Sequence, residues 1–448
     1  MNLVGWIFTQ HVTTIVMDAL VLVFVAQVIR QRQPTGSAFA WLLSIILVPY
    51  AGIPLYLAFG GRKFKRRARE KGRLRLGEHA PDDAKRALGL ESTLDAVEWL
   101  DDGVLAYETF LREIRNATHS IRIVTFVVGD DPTGNGIIDA LVERASAGVE
   151  VRLLLDDLLR FHAPARNLAR LKAAGGRLGR FMPLVHLPFR GQDNLRNHRK
   201  IALFDGKRAV VGGMNLATEY MGPAPEAMRW RDLSALVSGA AVGALDAIFR
   251  ADWEFATRER LGALEPPRGA GERPVTVVPS GPDAASDPIY DTLLTAVFRA
   301  SHRVWISTPY FVPDDPLMRA LAIAVRRGVD VRVVVPVKSN HALANLIGEP
   351  NLRDLSRQGA SVLVFPNMLH AKAVLVDDAL AVIGSANFDM RSLFLNYEIA
   401  LLFSGAREVS RLAEWFQATF ALAAEGPVPV SYGRGALGEV ARLVAPLV

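Results

Sequence analysis

Two long apolar stretches open the chain, and short apolar runs alternating with amphipathic ones fill the rest. Residues 37–60 (SAFAWLLSIILVPYAGIPLYLAFG) carry no charge, which is enough chain for a helix to cross roughly 30 Å of hydrocarbon. Residues 12–29 are similar, interrupted only by Asp18. The pattern predicts an N-terminal hairpin of two transmembrane helices over residues 1–60, with a helix lying in the membrane interface as the alternative. A cleaved signal peptide fits less well, because residues 1–11 hold no Lys or Arg and no A-x-A site follows the apolar run.

Beyond residue 90 the chain repeats itself. Residues 119–125 (HSIRIVT) resemble 302–308 (HRVWIST), and 148–155 (GVEVRLLL) resemble 328–335 (GVDVRVVV). Each copy reads as an apolar strand, a helix (136–147 and 316–327), a second apolar strand, another helix and a third strand. That alternation predicts an α/β fold, a parallel or mixed sheet covered by helices, present twice. The Pro- and Gly-rich segment 265–274 (EPPRGAGERP) is the expected joint. The expected domains are therefore 1–60 (membrane helices), 61–90 (basic linker), 91–264 (first copy) and 275–448 (second copy).

Charge and composition sharpen this picture. Half of the 448 residues are hydrophobic and the net charge is +6, so the expected partners are polyanions, either nucleic acid or an anionic membrane face. Nine Lys and Arg residues crowd the stretch 62–75, from Arg62 to Arg75. By the bias of basic residues toward the cytoplasm, this run and the chain after it should be cytoplasmic, with the protein a multi-pass inner-membrane protein. The same run suits anionic lipid headgroups. The absence of cysteine excludes disulfides, thiolate metal sites and cysteine nucleophiles.

The repetition becomes strict near the end of each copy. The first copy reads His198-x-Lys200-x4-Asp205, then Gly212-Gly213-x-Asn215; the second reads His370-x-Lys372-x4-Asp377, then Gly384-Ser385-x-Asn387, at identical internal spacing. On an extended strand His and Lys two apart share a face, and each Asp begins a turn. Lys and Asn can bind the non-bridging oxygens of a phosphodiester as negative charge grows on phosphorus. Two imidazoles allow one to attack phosphorus while the other protonates the departing alkoxide, through a phosphohistidine. Singly, a strand histidine or a turn Asp is usually structural. Two complete copies point instead to one shared site. Lysine between His and Asp disfavours a metal ion, and no cofactor is expected.

These residues resemble the phospholipase D superfamily, and within it the bacterial cardiolipin synthases with two N-terminal membrane spans. The resemblance extends over residues 41–60, the approach 196–200, the block Trp230-Arg231-Asp232, residues 308–314 and residues 388–398. It implies two phospholipase D-like domains facing each other across a metal-independent site. It implies transfer of the phosphatidyl group of one phosphatidylglycerol to the glycerol hydroxyl of another, releasing glycerol. It also implies that an acid downstream of each motif holds its imidazole, Asp232 orienting His198 and Glu398 orienting His370. His198 is then expected to attack, His370 to serve as acid and base, Lys200, Lys372, Asn215 and Asn387 to bind phosphate oxygens, and Asp205 and Asp377 to order the lysines and turns. A hydrolase, or a transferase with another donor or alcohol, is the main alternative. A nuclease is disfavoured by the membrane segment and the lack of a row of stacking aromatics, so nucleic acid is not an expected partner, and a relict scaffold is disfavoured by two intact motifs.

Overall fold

The computed structural model describes residues 3–30, 35–59, 90–158, 163–182, 195–265, 271–284 and 286–426. Three helices come first: α1 (Leu3–Arg30), α2 (Thr35–Leu47) and α3 (Pro49–Phe59). Within α1, His11–Arg30 is the one stretch among the described residues long and apolar enough to cross a membrane. The uncharged stretch 37–60, expected as one span, is divided at Val48. Pro49 supplies the reason: it has no N–H to continue the ladder, and its ring disfavours helical backbone in the residue before it. The carbonyl of Val48 instead starts α3, accepting from the N–H groups of Ala51 (3.0 Å) and Gly52 (2.7 Å). A Cβ at residue 52 would lie 2.2 Å from the Ser44 carbonyl oxygen, so glycine is what allows α3 to sit tightly against the end of α2. The three helices close over Val28, Ile45, Ile53 and Tyr56. The basic run 62–75 falls outside the described residues.

Two mixed sheets follow. After β1 (Leu90–Leu94), the strands β2 (Ala96–Leu100), β3 (Ser120–Thr125), β4 (Glu150–Asp156), β5 (Arg177–Phe181), β6 (Ile201–Phe204), β7 (Arg208–Gly212) and β8 (Ser234–Ser238) form a sheet in the order β2-β8-β7-β6-β3-β4-β5. The second half supplies β9 (Arg273–Ser280), β10 (Arg303–Ser307), β11 (Phe311–Val312), β12 (Asp330–Pro336), β13 (Ser361–Phe365), β14 (Ala373–Val376), β15 (Leu380–Gly384), β16 (Phe388–Asp389), β17 (Glu398–Phe403) and β18 (Ala424–Gly426). Its order β9-β17-β15-β14-β10-β12-β13 repeats the first sheet strand for strand, with β1 and β18 added at the edges and β11 paired separately with β16. The repeat seen in the sequence is thus a repeat of topology. The helices expected at 136–147 and 316–327 are Pro132–Ser146 and Asp315–Arg326. Both begin earlier than the apolar pattern suggests, because Asp131 and Asp314 cap them and a proline occupies the first turn.

One strand breaks the simple division. β1 pairs antiparallel with β9, so residues 90–94, placed by sequence at the end of the linker and the start of the first copy, extend the second copy's sheet. The two halves also share a core. Along β6, Ile201 and Leu203 face that shared core while Ala202 and Phe204 face the first half's own. The helices Ala241–Thr257 and Ala406–Ala421 fill the shared layer with buried Trp253 and Trp415. Each sheet is therefore covered on both faces, which is why its strands read as nearly continuous apolar runs.

Candidate active site

The two His-x-Lys segments lie just before β6 and β14, extended but outside their own sheets. Each pairs with the other half. The N–H of His198 donates to the Tyr397 carbonyl (2.9 Å) and the N–H of Tyr397 to the Arg196 carbonyl (2.8 Å). Likewise the N–H of His370 donates to the Arg231 carbonyl (2.7 Å) and that of Arg231 to the Met368 carbonyl (2.9 Å). Both are parallel bridges, Asn197 with Tyr397 and Arg231 with Leu369.

This crossing decides which acid meets which histidine. Glu398 follows Tyr397, and its Oε1 and Oε2 lie 3.0 and 3.1 Å from Nδ1 of His198. Asp232 follows Arg231, and its Oδ2 lies 2.6 Å from Nδ1 of His370. The pairing that the family resemblance implied, Asp232 with His198 and Glu398 with His370, is therefore reversed. Each acid is supplied by the half opposite its histidine, because the backbone bridges join residues of different halves one position earlier. With Nδ1–H directed to a carboxylate, each imidazole presents Nε2 for chemistry.

The surroundings are dry and strongly charged. Burial, aided by the ammonium groups of Lys200 and Lys372, lowers the His198 pKa against the pull of Glu398. The same effects, burial first and then Lys372, bring His370 to about 3. Burial likewise lowers Lys200 to about 7 and Lys372 to about 8. Burial pushes Asp232 and Glu398 upward, but their facing histidines and lysines hold both below the usual carboxylate range. Lys200 Nζ donates to the His198 carbonyl (2.8 Å), and Lys372 Nζ sits 2.9 Å from Nε2 of His370. An anion bound between the two lysines would favour the protonated forms of both lysines and of the histidines.

The carboxylates of Asp205 and Asp377 lie elsewhere. Asp205 accepts from the N–H groups of Thr118 (2.9 Å), His119 (2.8 Å) and Ser120 (2.8 Å), and Asp377 does the same for Ser301, His302 and Arg303. They pin the starts of β3 and β10, at the far ends of β6 and β14 from the histidines. Both have positive φ, 52° and 51°, as the tight hairpin requires. They do form the expected turns, but the expectation that they order the lysines is not met. Asp205→Ala should consequently cost about 2 kcal/mol of stability, since it strands backbone donors, while turnover per folded molecule changes little. Thermal unfolding alongside an activity assay tests this; lost turnover at unchanged stability would contradict it.

Asn215 is buried, its Oδ1 accepting from the N–H of Val127 (3.3 Å); Asn387 is buried with its Oδ1 unsatisfied. Several neighbours carried no role in the sequence reading, although Trp230 and Ser385 stood in its motifs. Phe126 packs edge-on to His198 at 5.1 Å, and Tyr220 and Trp230 flank His370 at 5.0 and 5.5 Å. Ser385 Oγ donates to Glu398, whereas at the equivalent Gly213 a Cβ would come 2.2 Å from Asp232 Oδ1. The Gly-Gly against Gly-Ser difference was visible in the motifs, but nothing in sequence marked Phe126 or Tyr220. Among the described residues no group of three or more His, Asp or Glu side chains could hold a metal ion.

Known proteins resemble this chain in sequence and in fold. The family model described as cardiolipin synthase, PLD-like domain covers residues 110–253 and 293–420, and one described as phospholipase D-nuclease N-terminal covers 19–61. Cardiolipin synthase A of Pseudomonas syringae is 33% identical, with 92% of each chain covered. The major cardiolipin synthase ClsA of Bacillus subtilis is 31% identical over 85% of this chain and 86% of its own. In fold, the crystal structure of a phosphatidylserine synthase from Haemophilus influenzae superposes with a TM-score of 0.63 at 16% identity, over 81% of this chain and 99% of that one. The chain, with its apolar N-terminal helix and its two interlocked halves, belongs to the cardiolipin synthase family of phospholipase D-like proteins.

Proposed function

We propose that this protein makes cardiolipin by transferring a phosphatidyl group between two phosphatidylglycerol molecules through a phosphohistidine. One observation carries the reading: two imidazoles, His370 buried and His198 partly buried, each held at Nδ1 by a carboxylate from the opposite half, converge with two buried lysines on one site. In the first step Nε2 of His198 attacks phosphorus and the bond from phosphorus to the headgroup glycerol oxygen breaks; His370, which takes up a proton at Nε2 once the phosphate anion offsets the lysine charge that holds its pKa down, gives that proton to the departing glycerol. In the second, the hydroxyl of another phosphatidylglycerol loses its proton to His370 as its oxygen attacks phosphorus and the bond to His198 breaks. The proton balance closes over the cycle. Lys200 and Lys372 bind the non-bridging oxygens, where the charge gained in the transition state is worth most in a dry site.

The membrane segment fits lipid substrates. We place the catalytic halves at the cytoplasmic face of the cell membrane, α1 crossing and the α2–α3 unit returning, on the strength of the basic run that follows. The supporting experiment feeds labelled phosphatidylglycerol to membranes and separates the products by thin-layer chromatography, with a reporter fused after Val448. Cardiolipin plus glycerol and a cytoplasmic readout are expected. Phosphatidic acid would make the protein a hydrolase, no product would make it a scaffold, and a periplasmic readout would reverse the topology.

A further inference from the structure

The residue between His198 and Lys200 is Arg199, one of the largest fully buried side chains among the described residues. Its guanidinium reaches three elements at once. Nη1 lies 2.6 and 2.7 Å from the two carboxylate oxygens of Asp252, on the helix Ala241–Thr257. Nη2 donates to the Ser280 carbonyl in β9 (2.9 Å), and Nε donates to the carbonyl of Glu398 itself (2.9 Å). The Tyr397 ring packs against it at 5.3 Å. Asp252 also accepts from Nδ2 of Asn197 (3.0 Å). The residues on either side of His198 are therefore tied to one carboxylate, and the same guanidinium grips the backbone of the acid that orients His198.

The second motif has no such device. Ala371 stands where Arg199 stands, and Leu369 where Asn197 stands, both fully buried. An apolar solution is thus compatible with the fold at this position. Burying an ion pair costs desolvation that apolar residues of similar volume avoid, so stability alone gives little reason to keep Arg199 and Asp252.

We propose that Arg199 and Asp252 are positioning residues that hold the His198–Glu398 pair in register across the two halves, making the two histidines unequal. The inference rests on His198 attacking a phosphodiester. A guanidinium serves because its planar fork satisfies a carboxylate and two carbonyls simultaneously, which an ammonium cannot do at the same distances.

The test uses the full-length enzyme in detergent micelles with phosphatidylglycerol and, in parallel, a soluble aryl phosphodiester that needs no lipid recognition. The double variant Arg199→Met with Asp252→Leu removes both charges together and should fold. Because a misplacement of about 1 Å can cost roughly a hundredfold, kcat should fall by about that factor at nearly unchanged KM, and covalent labelling of His198 should slow in parallel. Arg199→Lys, which keeps the charge, should recover about a tenth of the wild-type rate, the remaining loss reflecting the missing fork. A folded double variant with wild-type kcat, or a rate loss that only tracks the loss of folded protein, would overturn the proposal. If the double variant does not fold, Arg199→Lys decides by the same two readouts. Should the wild type cleave the aryl diester but make no cardiolipin, the lipid reading fails while the aryl assay still measures positioning.

Discussion

Replacing His198 with alanine should stop turnover and abolish the covalent intermediate, whereas His370→Ala should stop turnover and leave the intermediate trapped. Both losses should reach about 10⁴-fold or more, because groups acting as a unit fail together. They separate with a donor whose leaving group needs no proton. His370→Ala retains the nucleophile and its Glu398 partner, so it should form a phosphoryl adduct that persists for want of a base to activate the incoming alcohol. His198→Ala should form none. Acid-quench and peptide mapping by mass spectrometry read this out. An adduct on His370 in the wild type would reverse the assignment, and inversion of configuration at phosphorus would exclude two displacement steps.

The second large effect comes from the crossed acids. Glu398→Gln should behave like a lesion in the first motif and Asp232→Asn like one in the second, although in sequence each acid belongs to the other half. An amide can accept from Nδ1–H but also offers its own N–H, so it allows the tautomer with Nε2 protonated. Losses of about 10⁴-fold are the scale for such a change. With the good leaving group, Asp232→Asn should still accumulate adduct on His198, and Glu398→Gln should label slowly or not at all. The opposite pattern would mean that the acids serve the histidines of their own halves during catalysis, against the 3.0 and 2.6 Å contacts.

These contacts also show where the sequence stops being informative. The two copies of His-x-Lys-x4-Asp, their spacing and the repeated strands are local patterns, and each takes the equivalent place in both halves, the His-x-Lys segments just before β6 and β14. The proposed chemistry could be read from sequence because it needs particular side chains at short intervals: His198 with Lys200, His370 with Lys372. Asp205 and Asp377 share that interval yet point to the opposite end of the hairpin, since a strand carries its two ends about four residues apart and a motif in sequence does not say which end is the site.

What the chain alone determined, then, is the apolar N-terminus, the duplicated α/β architecture and the two repeated pairs of histidine and lysine on which the proposed site is built, because strand and helix periodicity and motif spacing act over a few residues. Only the tertiary structure decided the partners across the interface. The bridges from Asn197 to Tyr397 and from Arg231 to Leu369 join residues far apart in the chain, and their register sets Glu398 beside His198 and Asp232 beside His370. The break at Val48 is intermediate: Pro49 was there to be read, but an uncharged run of that length outweighed it in sequence. The addition of β1 to the second sheet and the grip of Arg199 on Asp252, Ser280 and Glu398 likewise depend on how the halves pack, since they join partners that no local pattern relates.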